Sequence, residues 1–288
     1  MNVSVLGFGG AEIGFEEATP QTVDRLLDSA LDAGLNVIDT AECYNISEQL
    51  IGETLWHRRS DYYLFTKCGH ASGFEQPDWD PGMLERTIDR SLARLRTDYV
   101  DLLQLHSCSE ELLRRGEVIE VLQRAREKGK VRYIGYSGDG AAALYAVTCG
   151  AFDALQTSLN IADQEPVELT VPEAAKRGMG VIAKRPIANA AWKTGSKPAS
   201  EYHHAYWDRL QRLNYDFIGG DLNASVGTAL RFTLSVPGVH TAIVGTANPD
   251  RWIQNAKLAD QGPLSGEQYE AIRARWRETA TIDWVGQG

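Results

Sequence analysis

The chain is poor in several things. Its four cysteines (Cys43, Cys68, Cys108 and Cys149) are well separated in 288 residues and include no CxxC pair, so no disulfide framework is expected. Positive charge is in deficit: the formal net charge is -10, which argues against a basic face for general nucleic-acid binding and otherwise bears on solubility. No apolar run approaches the roughly 18 residues of a membrane span. The opening Met1-Asn2-Val3-Ser4 has no basic segment backed by an apolar core, so no signal peptide is expected. These absences together read as a soluble, cytoplasmic protein. A dinucleotide-type GxGxxG is missing as well. Gly7-Phe8-Gly9-Gly10-Ala11-Glu12 puts an acid where the third glycine belongs, and Gly135-Tyr136-Ser137-Gly138-Asp139-Gly140 also fails the fingerprint.

What is present is a rhythm. Hydrophobic residues make up 43% of the chain, enough for a sizeable core. Short apolar strand signals alternate with helical ones. The strands are expected at Val3–Gly10, Asn36–Thr40, Tyr62–Lys67, Tyr99–His106, Val131–Ser137, Ala154–Asn160, Gly180–Pro186 and His240–Gly245. Between them, helices are expected after the Thr19-Pro20 cap, from Ser47, over Pro81–Leu95, Glu110–Lys128, Ala141–Thr148, Pro166–Arg177 and Leu222–Leu234, with Pro249–Leu258 and Ser265–Ala280 at the end. Eight alternating units in a chain of this length predict a single-domain α/β fold over residues 1–288, a (β/α)8 TIM barrel. The rhythm breaks after the seventh strand, at 188–220, where a long loop carrying a short helix is expected. Its His203-His204 and aromatics read equally as a substrate lid or a packed surface helix.

Chemistry in such a barrel collects at the C-terminal ends of the strands. Those ends read Asp39 with Tyr44 just beyond, Lys67, His106, Ser137, Gln156 with Asn160, Lys184-Arg185 and Gly245-Thr246. An acid at a buried strand end needs a cation. Lys67 ends the next strand and supplies one. A cation beside Tyr44 lowers the phenol pKa from about 10, and a neutral His106 orients a carbonyl oxygen that Tyr44 protonates. Such a proton donor calls for a hydride donor opposite, usually nicotinamide.

Asp39-x4-Tyr44, Phe65-Thr66-Lys67 and Leu103-Gln104-Leu105-His106 resemble the aldo-keto reductase superfamily, and the resemblance extends from Leu6-Gly7-Phe8-Gly9-Gly10 to Ile243 through Asn255. It implies a catalytic set of Tyr44, Asp39, Lys67 and His106, with Tyr44 as general acid in carbonyl reduction and base in alcohol oxidation. It also implies NADP as cofactor, NADPH preferred over NADH, with a small-molecule carbonyl or alcohol substrate and no metal. Ser137 and Gln156 match the carboxamide-binding positions. Lys184 stands where many members stack an aromatic ring on the nicotinamide, and with Arg185 it is expected to reach the pyrophosphate. Thr246, Arg251, Gln254 and Asn255 match the adenosine end, with Arg251 facing the 2'-phosphate, and Gly245 is a further cofactor-binding position beside them. Some members carry lysine in place of Gly245, asparagine in place of Gly138 and tryptophan in place of Ala11. Phe74, Trp79, Trp192 and the long loop are expected to build the substrate pocket, with Trp207 a further aromatic that could fill it.

Two rival readings share the barrel. One is a cofactor-binding protein without catalysis, as in the potassium-channel β subunits that resemble this family. The other is a metal-dependent hydrolase using Cys43, Cys68, His70, His106 and Cys108, against which stands the missing HxH of barrel hydrolases.

Overall fold

Each of the eight expected strands is present in a computed structural model, which describes residues 1–287. They are β1 (Leu6–Gly9), β2 (Val37–Asp39), β3 (Tyr63–Cys68), β4 (Val100–His106), β5 (Val131–Ser137), β6 (Ala154–Ser158), β7 (Gly180–Lys184) and β8 (Thr241–Gly245). All pair in parallel, in chain order, and β8 closes onto β1. The result is a single (β/α)8 barrel wrapped by helices. No helix among the described residues is long and apolar enough to cross a membrane.

Side chains alternate along a strand, so residues two apart share a face. One inward layer is apolar: Val37, Phe65, Leu102, Ala154, Ile182 and Ile243 pack together as a separate cluster inside the barrel. Burying each of the larger ones contributes roughly 1.5–3 kcal/mol. Two residues further along the same strands come Asp39, Lys67, Gln104, Gln156, Lys184 and Gly245, and Ser137 joins them from β5. The barrel therefore carries a polar layer directly above an apolar floor. Residues of the opposite parity, such as Leu64, Cys68, Leu103, Leu105 and Tyr136, face the helices and join the larger core.

The helices depart from expectation in three places. The segment expected as one helix over Glu110–Lys128 is two, Glu110–Arg115 and Glu117–Glu127, because Gly116 takes a left-handed φ of 85° and breaks the ladder. The Pro166–Arg177 segment is likewise split into Glu165–Glu168 and Val171–Lys176. Pro172 lacks the N–H that would continue the first helix into the second. Ser47 opens its helix but caps nothing. Its hydroxyl donates to Gly10 O at 2.7 Å and pairs with Thr40 Oγ1 at 2.8 Å, tying the end of β1 to the end of β2. The Thr19 cap is as expected, accepting from Thr22 N, with Pro20 in the first turn.

The long segment between β7 and β8 holds the expected helix, His204–Leu213, with Tyr206, Leu210 and Leu213 buried. Trp192, expected in the substrate pocket, is instead a core residue whose Nε1 donates to Ser225 Oγ at 3.0 Å.

Gly14 sets the approach of the short helix Ala11–Phe15 to the loop after β2. A Cβ there would lie 2.1 Å from the carbonyl oxygen of Tyr44. Backbone cannot yield as a side-chain tip does. Gly14→Ala is therefore expected to cost about 1–3 kcal/mol of stability. Denaturant unfolding measures it, and an unchanged midpoint would show that the two segments have slack.

Candidate active site

The register of the barrel brings the strand ends together. Asp39 is level with Phe65, Lys67 with Gln104, and His106 with Ser137, which is itself level with Gln156. Asp39 and Lys67 are both fully buried, and Lys67 Nζ donates to Asp39 Oδ2 at 2.5 Å and to Thr40 O at 2.8 Å. The other oxygen of Asp39 accepts from Gln156 Nε2 at 2.9 Å and Gln104 Nε2 at 3.2 Å. The carboxylate is thus met by one cation and two amides, which offsets the cost of burying it. Burial works against the Lys67 charge, but the Asp39 carboxylate wins and the lysine pKa lies above its ordinary value. Lys67 is a fixed cation. The acid's search for a partner, read from the sequence, ends where expected.

Gln104 was missing from the residues singled out by sequence. Its signal was present: it lies two residues before His106 and therefore shares its face of β4.

Tyr44 stands on the loop after β2. Lys67 Nζ lies 5.1 Å from its ring centroid, and the His106 ring meets it edge-on at 5.7 Å. Phe15 packs on it at 5.6 Å. The expected sign of its pKa shift is not what the structure gives. Burial pushes the phenol up to about 12, and Lys67 only partly offsets this. The cation softens a desolvation penalty instead of producing a low pKa. His106 moves the other way. Burial first, then Lys67 and Lys184, hold its pKa well below the ordinary value, so the ring is neutral at physiological pH. A neutral ring is what the sequence argument required.

The remaining expected residues fall into three sets. Ser137 Oγ donates to Gln156 Oε1 at 3.3 Å, so this pair sits beside the ion pair as one network. Lys184 is paired with Asp139 at 3.1 Å, and Asp139 also accepts from Thr157 Oγ1 and from Ser158 N and Oγ. Arg185 donates to Tyr202 Oη at 2.8 Å and to Ser158 Oγ at 3.1 Å. Both cations are thus already engaged beside β6 and the long segment. On the neighbouring strand, Gly245 and Thr246 end and follow β8, and Arg251 and Gln254 are exposed at the start of the helix Arg251–Ala259, with Asn255 buried behind them. Arg251 makes no ion pair among the described residues, whereas its neighbour Asp250 pairs with Arg25 at 3.3 Å. Glu12, unremarked in the sequence beyond breaking the glycine fingerprint, lies against Gly245. A Cβ there would fall 1.7 Å from its carboxylate, and burial raises the Glu12 pKa.

The cysteine–histidine group splits. Cys68 and Cys108 are buried in the layer between barrel and helices. Cys43 and His70 stay at the mouth, with Cys43 Sγ 3.4 Å from His106 Nδ1 and the His70 ring 5.4 Å from that of His106. Burial, helped by Glu42, pushes the Cys43 thiol up to about 11, so it is protonated at neutral pH.

A model of the aldo/keto reductase family matches residues 5–277. An uncharacterized oxidoreductase of Bacillus subtilis is 26% identical, over 96% of this chain and 94% of its own. L-galactose dehydrogenase of Arabidopsis thaliana is 30% identical over 71% of this chain and 67% of its own. Among solved structures, the holo form of an aldo-keto reductase from Bacillus halodurans superposes with a TM-score of 0.77 at 27% identity, covering 98% of this chain and 95% of that one. An aldo/keto reductase from Klebsiella pneumoniae, solved in complex with NADP and acetate, gives a TM-score of 0.72 at 25% identity over 94% and 91% of the two chains.

Proposed function

The chain belongs to the aldo/keto reductase family, and from that premise we propose that it reduces the carbonyl group of small aldehydes or ketones with a nicotinamide cofactor, NADPH in preference to NADH. The observation that carries the reading is the meeting of Tyr44, His106 and the buried Asp39–Lys67 pair at one barrel mouth.

The residues present fit such a cofactor. Ser137 and Gln156 offer a hydroxyl and an amide beside the ion pair, as a carboxamide requires. Arg251 supplies an exposed guanidinium at a helix N-terminus, where backbone N–H groups and the helix dipole favour a phosphate. When bound, the reduced nicotinamide supplies the hydride. Every other part falls to the chain. Lys67, held as a cation by Asp39, faces the charge that develops on the carbonyl oxygen. Tyr44 gives that oxygen its proton, and neutral His106 orients it. In oxidation the same proton returns to Tyr44. The sugar dehydrogenases among the relatives place aldoses on the list of substrates to try.

Quenching of protein fluorescence by NADPH, followed by NADPH oxidation over a panel of aldehydes and aldoses, tests the reading. No binding would overturn it, and binding without turnover would favour the cofactor-binding protein. Arg251→Ala is expected to weaken NADPH about tenfold more than NADH, the low end of a charge-assisted hydrogen bond given its exposure. Equal weakening would remove Arg251 from the 2'-phosphate.

A further inference from the structure

Cys43, His70 and His106 come from three different places, the loops after β2 and β3 and the end of β4. Each offers one ligating atom, and the three atoms lie within 4.8 Å of one another. Ligands of a tetrahedral zinc, with bonds of about 2.0–2.3 Å, stand a little closer than that, so small side-chain rotations close the set. One thiolate with two imidazoles suits a borderline-soft cation such as Zn2+ and not the oxygen-seeking Mg2+ or Ca2+.

A second observation points the same way. Asp78 Oδ2 lies 3.0 Å from His70 Nδ1, and Asp78 is itself fixed by the Ala71 N–H, which donates to Oδ1 at 2.7 Å. A carboxylate on one ring nitrogen orients a ligating imidazole and leaves the opposite nitrogen, Nε2, as the lone-pair donor. The edge of Trp79 fixes the same ring from another side at 5.8 Å, and Trp79 is seated on Gly69, where a Cβ would fall 2.3 Å from the indole. His70 is therefore held on two sides, at the rim of a site whose chemistry makes no use of it.

We propose that Cys43 Sγ, His70 Nε2 and His106 Nδ1 form a site for a zinc-class divalent cation, and that its occupancy shuts the mouth to carbonyl substrates. Binding forms one metal–sulfur and two metal–nitrogen bonds. The thiol proton passes to solvent, the fourth position holds water, and nothing is oxidised or reduced. The inhibition rests on the functional reading above, because it works by drawing His106 off the substrate oxygen. The binding does not.

The test begins with the metal-free protein titrated with ZnCl2, read by calorimetry and by metal content after dialysis. One equivalent is expected. Cys43→Ala and His70→Ala should each weaken it at least tenfold, while Cys149→Ala leaves it unchanged. Asp78→Asn should weaken it with the three ligands intact. Co2+ in place of Zn2+ should show a thiolate charge-transfer band that Cys43→Ala removes. No stoichiometric binding, or binding indifferent to Cys43 and His70, overturns the proposal. In the activity arm, Zn2+ should inhibit NADPH-dependent reduction in the wild type. It should do so far less in His70→Ala, each compared with its own metal-free rate. Inhibition equal in both overturns the gating role. A metal-free enzyme that reduces no carbonyl would count against the functional reading alone, since the calorimetric and cobalt arms need no turnover.

Discussion

Tyr44→Phe is expected to lower the rate of carbonyl reduction by about 10²–10⁴-fold while leaving NADPH affinity within about twofold. The ring and its contacts with Phe15, His106 and Lys67 survive the substitution, so only the proton is lost. The pH profile gives a second readout. With the phenol pushed up to about 12 by burial, the acid form persists through the whole physiological range. Reduction should therefore show no loss from Tyr44 ionisation until the pH nears that value. Alcohol oxidation needs the ionised form and should climb with pH over the same range. The shift also bears on stability. A tyrosine that holds its proton more tightly when folded contributes fully below its unfolded pKa of about 10, and that contribution is lost as pH rises toward 12. Steady-state kinetics from pH 6 to 10 on wild type and Tyr44→Phe decide the matter. Equal turnover by both would sink the assignment of Tyr44 as the acid.

Lys67→Met should be the most destabilising single change at the mouth. It removes the cation and leaves the Asp39 carboxylate fully buried with only the amides of Gln104 and Gln156. Breaking a buried pair from one side costs about 3–5 kcal/mol. For a chain of this size that lowers the melting temperature by roughly 5–8 °C. The double variant Asp39→Asn with Lys67→Met should recover more than half of the loss. Asparagine still offers one acceptor to the two amides and carries no charge to strand. A thermodynamic cycle over the two single variants and the double one reads the coupling directly. If Lys67→Met melts with the wild type, the pair is not what holds this layer together. Reduction should fall in all three variants.

The strands were readable because their signal is local. An apolar run ending in a polar residue is visible in the sequence, and parity then says which side chains point inward. That is how Asp39, Lys67 and His106 were found, and the same rule would have found Gln104. What escaped depends on contacts between distant segments. Apolar periodicity continues on both sides of Gly116, so the helix read as unbroken until the backbone showed its left-handed turn. Lys184 could be placed at a strand end, but its partner Asp139 arrives from the loop after β5. Trp192 read as a pocket residue because it lies in the long segment, yet that segment folds back and buries it. The sign of the Tyr44 shift was missed for a related reason. A sequence names the neighbouring cation but not the amount of water excluded, and here the exclusion is the larger effect. Among the cysteines, only the fold separates Cys43, at the mouth, from Cys68 and Cys108, behind the barrel wall.

The stacking of a polar layer on an apolar floor couples two properties that mutation usually varies separately. In β3, Phe65 plugs the barrel and Lys67 serves the mouth because both share one parity. Deleting one residue ahead of Phe65 would turn Thr66 and Cys68 inward and send both the plug and the ammonium out to the helices. Such a frame shift could not spare the core while damaging the chemistry, or the reverse. Insertions and deletions are thus confined to the loops, and the strands can change only by substitution.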